Sequence, residues 1–252
     1  MKTKIIKSIS LITIIILILL ILKPKQILII AHRGASGTAP ENTLKAFKKA
    51  LSTNAAMIEL DVYKTKDNQL VVIHDDTLER TTNGQGFVEN HSLAQLQKLN
   101  AGENEIIPTL EQVINLVDRK IPINIELKGS NTAEPVALLL KEYLQKGWRS
   151  KDFLISSFDH QLLNQFHQFL PQIALGKLIE FKLPEDIFKN LDGITFIGLD
   201  LESINLDMLK AIHKNKLKVF VYTVNTKADF IKLKKTFGKY LDGIFTNYPN
   251  IF

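Results

Sequence analysis

Cysteine is absent from this 252-residue chain. That absence excludes disulfides, thiolate metal sites and a cysteine nucleophile. Blocks of like charge are missing too. The 32 Lys and Arg and 26 Asp and Glu are spread along the sequence and leave a formal net charge of +6. Such a surplus mildly favours anionic surfaces or substrates. Aromatic residues are not interleaved with basic ones and no nucleic-acid module is visible, so no nucleic-acid partner is expected. Internal repeats and low-complexity tracts are also lacking, which excludes a solenoid or a long biased linker.

What is present begins with 45% apolar residues, ample for the core of one barrel-sized domain. Ser8 to Leu22 carries no charge and is broken only by Ser10 and Thr13; Lys2, Lys4 and Lys7 precede it, and Lys23 and Lys25 follow. As a helix it spans somewhat less than a ~30 Å hydrocarbon core, and the flanking lysines can snorkel to make up the difference. Only Leu22-Lys23-Pro24-Lys25 follows, with no small-x-small cleavage pattern. The segment reads as an uncleaved N-terminal membrane-anchor helix; secretion after signal cleavage is the alternative. The excess of lysine before it places residues 26–252 outside the cytoplasm. The chain therefore divides into an anchor and linker, 1–25, and one domain, 26–252.

Three clusters carry chemistry. In Met57-Ile58-Glu59-Leu60-Asp61-Val62, two carboxylates lie two residues apart in an apolar run and share one face of a strand. A turn signal, Lys66-Asp67-Asn68-Gln69, leads to a second β-rich run, Leu70 to Ile73, then His74-Asp75. A hairpin folded about Asp67-Asn68 sets His74 directly opposite Asp61, beside Glu59. Two carboxylates and a histidine at one spot suit a hard divalent cation with an acid/base group alongside; a solvated face of an edge hairpin is the plain alternative. The second cluster is His32-Arg33-Gly34, after Ile27 to Ala31. It offers a proton carrier near neutral pH, a planar fork matched to phosphate, and backbone that tolerates a sharp turn. A surface turn would look the same. Pro40-Glu41-Asn42-Thr43 follows, and Pro and Glu there suit the first turn of a helix running to Leu51. In the third cluster, Ile123 to Gly129, Glu126 and Lys128 share a face at the end of a buried strand, as a structural ion pair or as part of a site.

Strand-like runs alternate with helical patterns. The expected strands are 26–31, 57–62, 122–127, 152–157, 172–176, 194–200, 218–224 and 243–246, with 70–74 as a hairpin arm. Helices are expected over 41–51, 109–117, 132–145, 161–169, 184–189, 206–215 and 227–236, and a short one over 92–99. This alternation predicts a (β/α)8 TIM-type barrel with a small insertion after the second strand, about 75–107. Such a barrel places its site at the C-terminal strand ends, where His32, Glu59, Asp61, Glu126, Lys128, Ser157, Asp200, Asn225 and Asn247 fall. Asn225 and Asn247 are expected to brace loops, Trp148 to anchor packing, and His91, His160, His167 and His213 to be plain surface residues.

In this order the clusters resemble the glycerophosphodiester phosphodiesterase family of PLC-like phosphodiesterase barrels, from about Ile27 to Pro249. The matching pieces are His32-Arg33-Gly34, Pro40 to Thr43, Glu59 to Val62, His74-Asp75 with Arg80-Thr81-Thr82, Ile107 to Glu111, Glu126 to Lys128, Ser156 to Phe158, Tyr222 to Asn225 and Asp242 to Pro249. The resemblance implies metal-dependent hydrolysis of glycerophosphodiesters to glycerol 3-phosphate and an alcohol. It implies Glu59, Asp61 and Glu126 as ligands of one Ca²⁺ or Mg²⁺, His32 and His74 as the acid/base pair, and Arg33 and Lys128 as phosphate-binding residues. The alternatives are a lipid-headgroup or lysophospholipid phosphodiesterase and a non-catalytic, membrane-tethered binding barrel. Two departures stand out. Tyr222 occupies a position that is often Trp in the family, and the segment between Leu99 and Ile107 is shorter than the family pattern, which bears on the leaving alcohol.

Overall fold

The computed structural model describes residues 26–252. The expected anchor helix lies outside the described residues. Among the described residues no helix is long and apolar enough to cross a membrane.

The strands are β1 (Leu28–Ala31), β2 (Met57–Lys64), β3 (Leu70–Val72), β4 (Ile123–Leu127), β5 (Phe153–Ser157), β6 (Ala174–Ile179), β7 (Ile194–Asp200), β8 (Lys218–Tyr222) and β9 (Gly243–Thr246). Pairing runs β1-β9-β8-β7-β6-β5-β4-β2 and closes through β1–β2, giving a parallel barrel; β3 adds to β2 antiparallel. The helices are α1 (Leu44–Leu51), α2 (Leu93–Leu96), α3 (Leu110–Val117), α4 (Ala133–Gln145), α5 (His160–Phe169), α6 (Leu206–Lys214) and α7 (Lys227–Phe237).

Barrel strands are buried on both faces, so they read as continuous apolar runs. Alternation along each strand separates two cores. Ile58, Leu60, Val62, Ile123, Ile125 and Leu127 point outward and pack with helix residues such as Phe47, Leu110, Ile114 and Leu140. Ile30, Met57, Leu178, Phe196, Phe220 and Phe245 fill the inside. There the Phe196 and Phe220 rings lie 4.6 Å apart between centroids. Gly176 leaves the room: a Cβ on it would sit 2.0 Å from the Phe196 ring. Trp148 is an anchor as expected, stacked on Phe153 at 4.9 Å.

Three local expectations are corrected. First, the β2–β3 register pairs Val62 with Val72, Tyr63 with Val71 and Lys64 with Leu70. Ile73, not His74, therefore lies across from Asp61, and its N–H donates to the Asp61 carbonyl at 3.1 Å. The cause is the turn. Thr65 N–H bonds to the Gln69 carbonyl at 2.9 Å, Asn68 N–H bonds back to Thr65, and Asn68 is left-handed at φ 61°. Lys66, Asp67 and Asn68 thus all cross the turn, one residue more than a two-residue loop, and every partner shifts by one. Second, the helix expected from Glu41 starts at Leu44. Asn42 is left-handed at φ 58°, and Thr43 is the N-cap, its hydroxyl accepting from Ala46 N–H. Third, 184–189 forms turns rather than a helix. The buried Lys177 ammonium donates to the carbonyls of Ile187 and Lys189, both at 3.1 Å, and fixes the segment across β6.

The insertion builds its own small core from Val71, Ile73, Leu78, Val88, Leu96, Ala101 and Ile107. It stands beside the mouth of the barrel and carries Asp75 and Arg80.

Candidate active site

Inward-facing residues at the C-terminal strand ends line a cavity of about 380 Å³. His32, Arg33, Glu59, His74, Glu126 and Lys128 form one wall; Phe158, Asp200, Tyr222 and Phe245 form much of the other. The hydroxyl of Tyr222 donates to the Ile179 carbonyl at 2.8 Å.

Strand register brings the carboxylates together. β2 pairs with β4 so that Asp61 lies beside Glu126, and Glu59 lies one inward position below. Oxygen atoms of Glu59, Asp61 and Glu126 all lie within 4.8 Å of one another. All three residues are buried. Burial and the charges of Asp61 and Glu126 push the Glu59 carboxyl well above its ordinary range. Burial and Asp61 push Glu126 up to about 7. Buried Glu59 Oε1 and Asp61 Oδ1 have no hydrogen-bond partner, which is costly for a lone group in the interior. Three converging oxygen donors with unpaired lone pairs fit a hard divalent cation.

The remaining oxygens of the triad are oriented by neighbours. Arg33 N–H donates to Glu59 Oε2 at 2.8 Å. That bond needs Arg33 left-handed at φ 54°. The turn continues through Gly34 at φ 79°, where a Cβ would lie 2.7 Å from the backbone of Ala46. Asn42 Nδ2 donates to Asp61 Oδ2 at 2.8 Å. The Arg33 guanidinium bonds Glu41 at 2.9 Å and approaches Asp61 Oδ2 at 3.5 Å. Lys128 Nζ lies 3.0 Å from Glu126 Oε1 and 3.3 Å from His74 Nε2. Burial opposes charge on Lys128, but Glu126 and Asp61 raise its pKa above the ordinary value.

Both histidines are held by Nδ1. His32 Nδ1 meets Asn247 Oδ1 at 2.7 Å, and Asn247 N–H donates to Asn225 Oδ1 at 2.9 Å. His74 Nδ1 meets Asp75 Oδ1 at 2.6 Å. An acceptor at Nδ1 fixes the proton there and leaves Nε2 as an acceptor, which in His74 faces Lys128 Nζ. Burial and Arg33 hold the His32 pKa down at about 4; burial is also the main cause that lowers His74.

Every residue proposed from sequence lies in this cluster: His32, Arg33, Glu59, Asp61, His74, Glu126 and Lys128. Sequence reasoning did not give roles to Glu41, Asn42, Asp75 and Arg80. Pro40 to Thr43 read as a helix start, yet its two middle side chains reach back to Arg33 and Asp61. Asn225 and Asn247 brace as expected, and the group they brace is His32. Ser157 is structural, its hydroxyl donating to the Leu127 carbonyl. His213 is not a plain surface residue: its Nε2 meets the Tyr240 carbonyl at 2.9 Å and Asp242 at 3.2 Å, far from the cavity in the fold.

A parallel barrel with an oxygen-ligand cation site and two Nε2-presenting histidines at its mouth defines a class: barrel enzymes built for phosphate esters. The chain belongs to the glycerophosphoryl diester phosphodiesterase family, whose model matches residues 32–251. It is 39% identical over 233 residues to YhdW of Bacillus subtilis (strain 168), covering 88% of this chain and 95% of that protein. It is 37% identical over 243 residues to the glycerophosphodiester phosphodiesterase of Caldanaerobacter subterraneus subsp. tengcongensis, covering 88% and 94%. Among solved structures it is similar to an Oleispira antarctica phosphodiesterase in complex with the product sn-glycerol-3-phosphate, with a TM-score of 0.80 and 30% identity, over 89% of this chain and 94% of that one.

Proposed function

We propose that the protein hydrolyses glycerophosphodiesters to glycerol 3-phosphate and an alcohol, using Ca²⁺ or Mg²⁺ held by Glu59, Asp61 and Glu126. The observation that carries this reading is the convergence of the buried triad, two histidines and two cationic side chains, Arg33 and Lys128, on one cavity. When bound, the cation supplies positive charge against a nonbridging phosphate oxygen and against the three carboxylates. Arg33 and Lys128 bind the other phosphate oxygens and stabilise the charge that develops there.

His32 Nε2 takes the proton of the nucleophile, either water or the glycerol 2-hydroxyl. A low pKa suits a base that must be neutral beforehand, and neutral Asn247 gives its ring no anionic support. His74 is paired with the Asp75 carboxylate, which stabilises a charged ring. With Nε2 protonated as well as Nδ1, it gives the Nε2 proton to the leaving oxygen as one P–O bond forms and the other breaks. With the 2-hydroxyl as nucleophile, a cyclic phosphate is then opened by water and the two roles reverse.

Space for both arms of a diester supports this reading. Lys128 lines the catalytic cavity and also a second one of about 520 Å³ bounded by Tyr63, Asn90, Ser130 and Asn131. That lining suits a water-soluble alcohol better than an acyl chain. Purified protein with its cation should release glycerol 3-phosphate from glycerophosphocholine and glycerophosphoethanolamine in a coupled assay. Release from a lysophospholipid alone would replace this reading by the lipid-headgroup one. Release from none would leave the binding barrel.

The tether is proposed from sequence alone. Residues 1–25 anchor the protein, and the barrel lies outside the cytoplasm. Protease added to intact cells should digest the barrel while a cytoplasmic marker survives. Full protection of the barrel would refute that placement.

A further inference from the structure

Arg80 has no place in the steps above, yet its guanidinium joins two carboxylates that each hold a different catalytic group. Its Nη1 and Nη2 donate to Glu41 at 2.9 and 2.8 Å. Its Nε and Nη2 donate to Asp75 at 2.5 and 3.0 Å. Glu41 Oε1 also accepts from Arg33 at 2.9 Å, and Asp75 Oδ1 also meets His74 Nδ1. The order Arg33–Glu41–Arg80–Asp75–His74 alternates in charge and links the β1–α1 loop to the insertion.

An ordinary exposed ion pair contributes little, and the Arg80 side chain is 47% exposed. Two features set it apart. Both contacts are two-pronged, the geometry in which a planar fork specifies orientation as well as distance. And the backbone does not aim His74. β3 ends at Val72, so the pleat no longer fixes the direction of residue 74. The ring direction is then set by its short bond to Asp75 at Nδ1, with Lys128 at 3.3 Å from Nε2, and Asp75 is aimed by Arg80. We infer that Arg80 is a positioning residue that locks the His74 ring and the Arg33 fork into one common geometry. This rests on the functional reading above. Both carboxylates stay ionised: Arg80 holds Asp75 down at about 2, and for Glu41 the bonds to Arg80 and Arg33 outweigh burial and bring it to about 2.

The test uses the full chain with its cation. Arg80→Ala should lower kcat/KM on glycerophosphocholine by about 30- to 100-fold, part of what an acid/base partner supplies. Arg80→Lys, which keeps the charge and loses the fork, should recover less than about a tenth of the loss. Arg80→Ala combined with Asp75→Asn should be no worse than the more damaged single variant by more than about threefold, because both changes release the same ring. Arg149→Ala breaks a similar pair with Asp152, remote from the cavity, and should leave kcat/KM unchanged. A readout that needs no turnover comes from ¹⁵N signals of the imidazole rings. His74 should show one fixed tautomer, protonated at Nδ1, in the native chain, and an averaged one in Arg80→Ala. Native activity in Arg80→Ala, full rescue by lysine, additive losses with Asp75→Asn, or an unchanged His74 signal would each overturn the inference. If the native chain cleaves no diester but the His74 signal still depends on Arg80, the positioning role stands and the functional reading falls.

Discussion

His32→Ala and His74→Ala should each lower kcat by about 10²- to 10⁴-fold, the usual contribution of a positioned proton-transfer group. His160→Ala and His213→Ala should leave kcat within about threefold, because neither ring lines the cavity. The contrast rests on placement. His32 and His74 line the cavity, and each is held by a hydrogen bond at Nδ1. His160 opens α5 on the outside of the barrel. His213, in α6, braces the β8–β9 end through Tyr240 and Asp242. Its loss should appear in thermal stability rather than in turnover. A pH profile separates the pairs further. The base must be deprotonated, and the His32 pKa lies at about 4, below the ordinary 6.5. The acid limb of kcat/KM should therefore fall below the ordinary histidine range, because that limb reports the free enzyme. Steady-state kinetics on glycerophosphocholine for the four variants and a native pH series check both points. Equal losses in all four, or an acid limb at 6.5 that survives His32→Ala, would remove His32 from the role of base.

The barrel was legible in the sequence because strands buried on both faces leave unbroken apolar runs, and the alternation of those runs with helical patterns admits few topologies. The triad was legible for a related reason. Glu59, Asp61 and Glu126 interrupt such runs with charge on the inward parity, which a buried strand does not tolerate without a purpose. Register was harder to read. Asp67-Asn68 looks like a two-residue turn, and nothing local shows that Lys66 joins it with Asn68 left-handed. His74 still reaches the site, but through Asp75 and the insertion rather than across a ladder. The residues that went unassigned share a cause. Glu41, Asn42, Asp75 and Arg80 act on side chains in other elements. Their partners are set by how loops fold over the barrel mouth, and a pattern of period 2 or 3.6 carries no trace of that. The turns at 184–189 close by i to i+3 bonds, Ile187 to Pro184 and Lys189 to Asp186, and are held by a lysine buried in β6, a partner that no local pattern shows.

Glu59→Gln should lower kcat by about 10²-fold or more, because losing one ligand of a charge-neutralising cation removes several kcal/mol from the transition state. In protein stripped of metal, the same change should raise thermal stability. Three buried carboxylates that repel one another are a liability until a cation binds, and an amide keeps the shape without the charge. The sign follows from linkage. The Glu126 pKa is raised from an ordinary 4.5 to about 7 in the folded chain, and that of Glu59 is also raised. Between those values the folded state binds more protons than the unfolded state, so stability falls as pH rises. In metal-free native protein the triad's contribution to stability should therefore be fully present below about pH 4.5 and be lost as pH passes through about 7. Glu59→Gln should flatten this slope and melt above the native chain at pH 8, the two converging in acid. Added Ca²⁺ or Mg²⁺ should raise the native melting temperature and restore turnover after chelation, and should do little for the variant. Melting curves at several pH values, with chelator and with each cation, decide the matter. A native chain that keeps full activity in chelator, or a Glu59→Gln chain that melts lower than native in metal-free protein at pH 8, would mean that the triad is a structural cluster rather than a cation site.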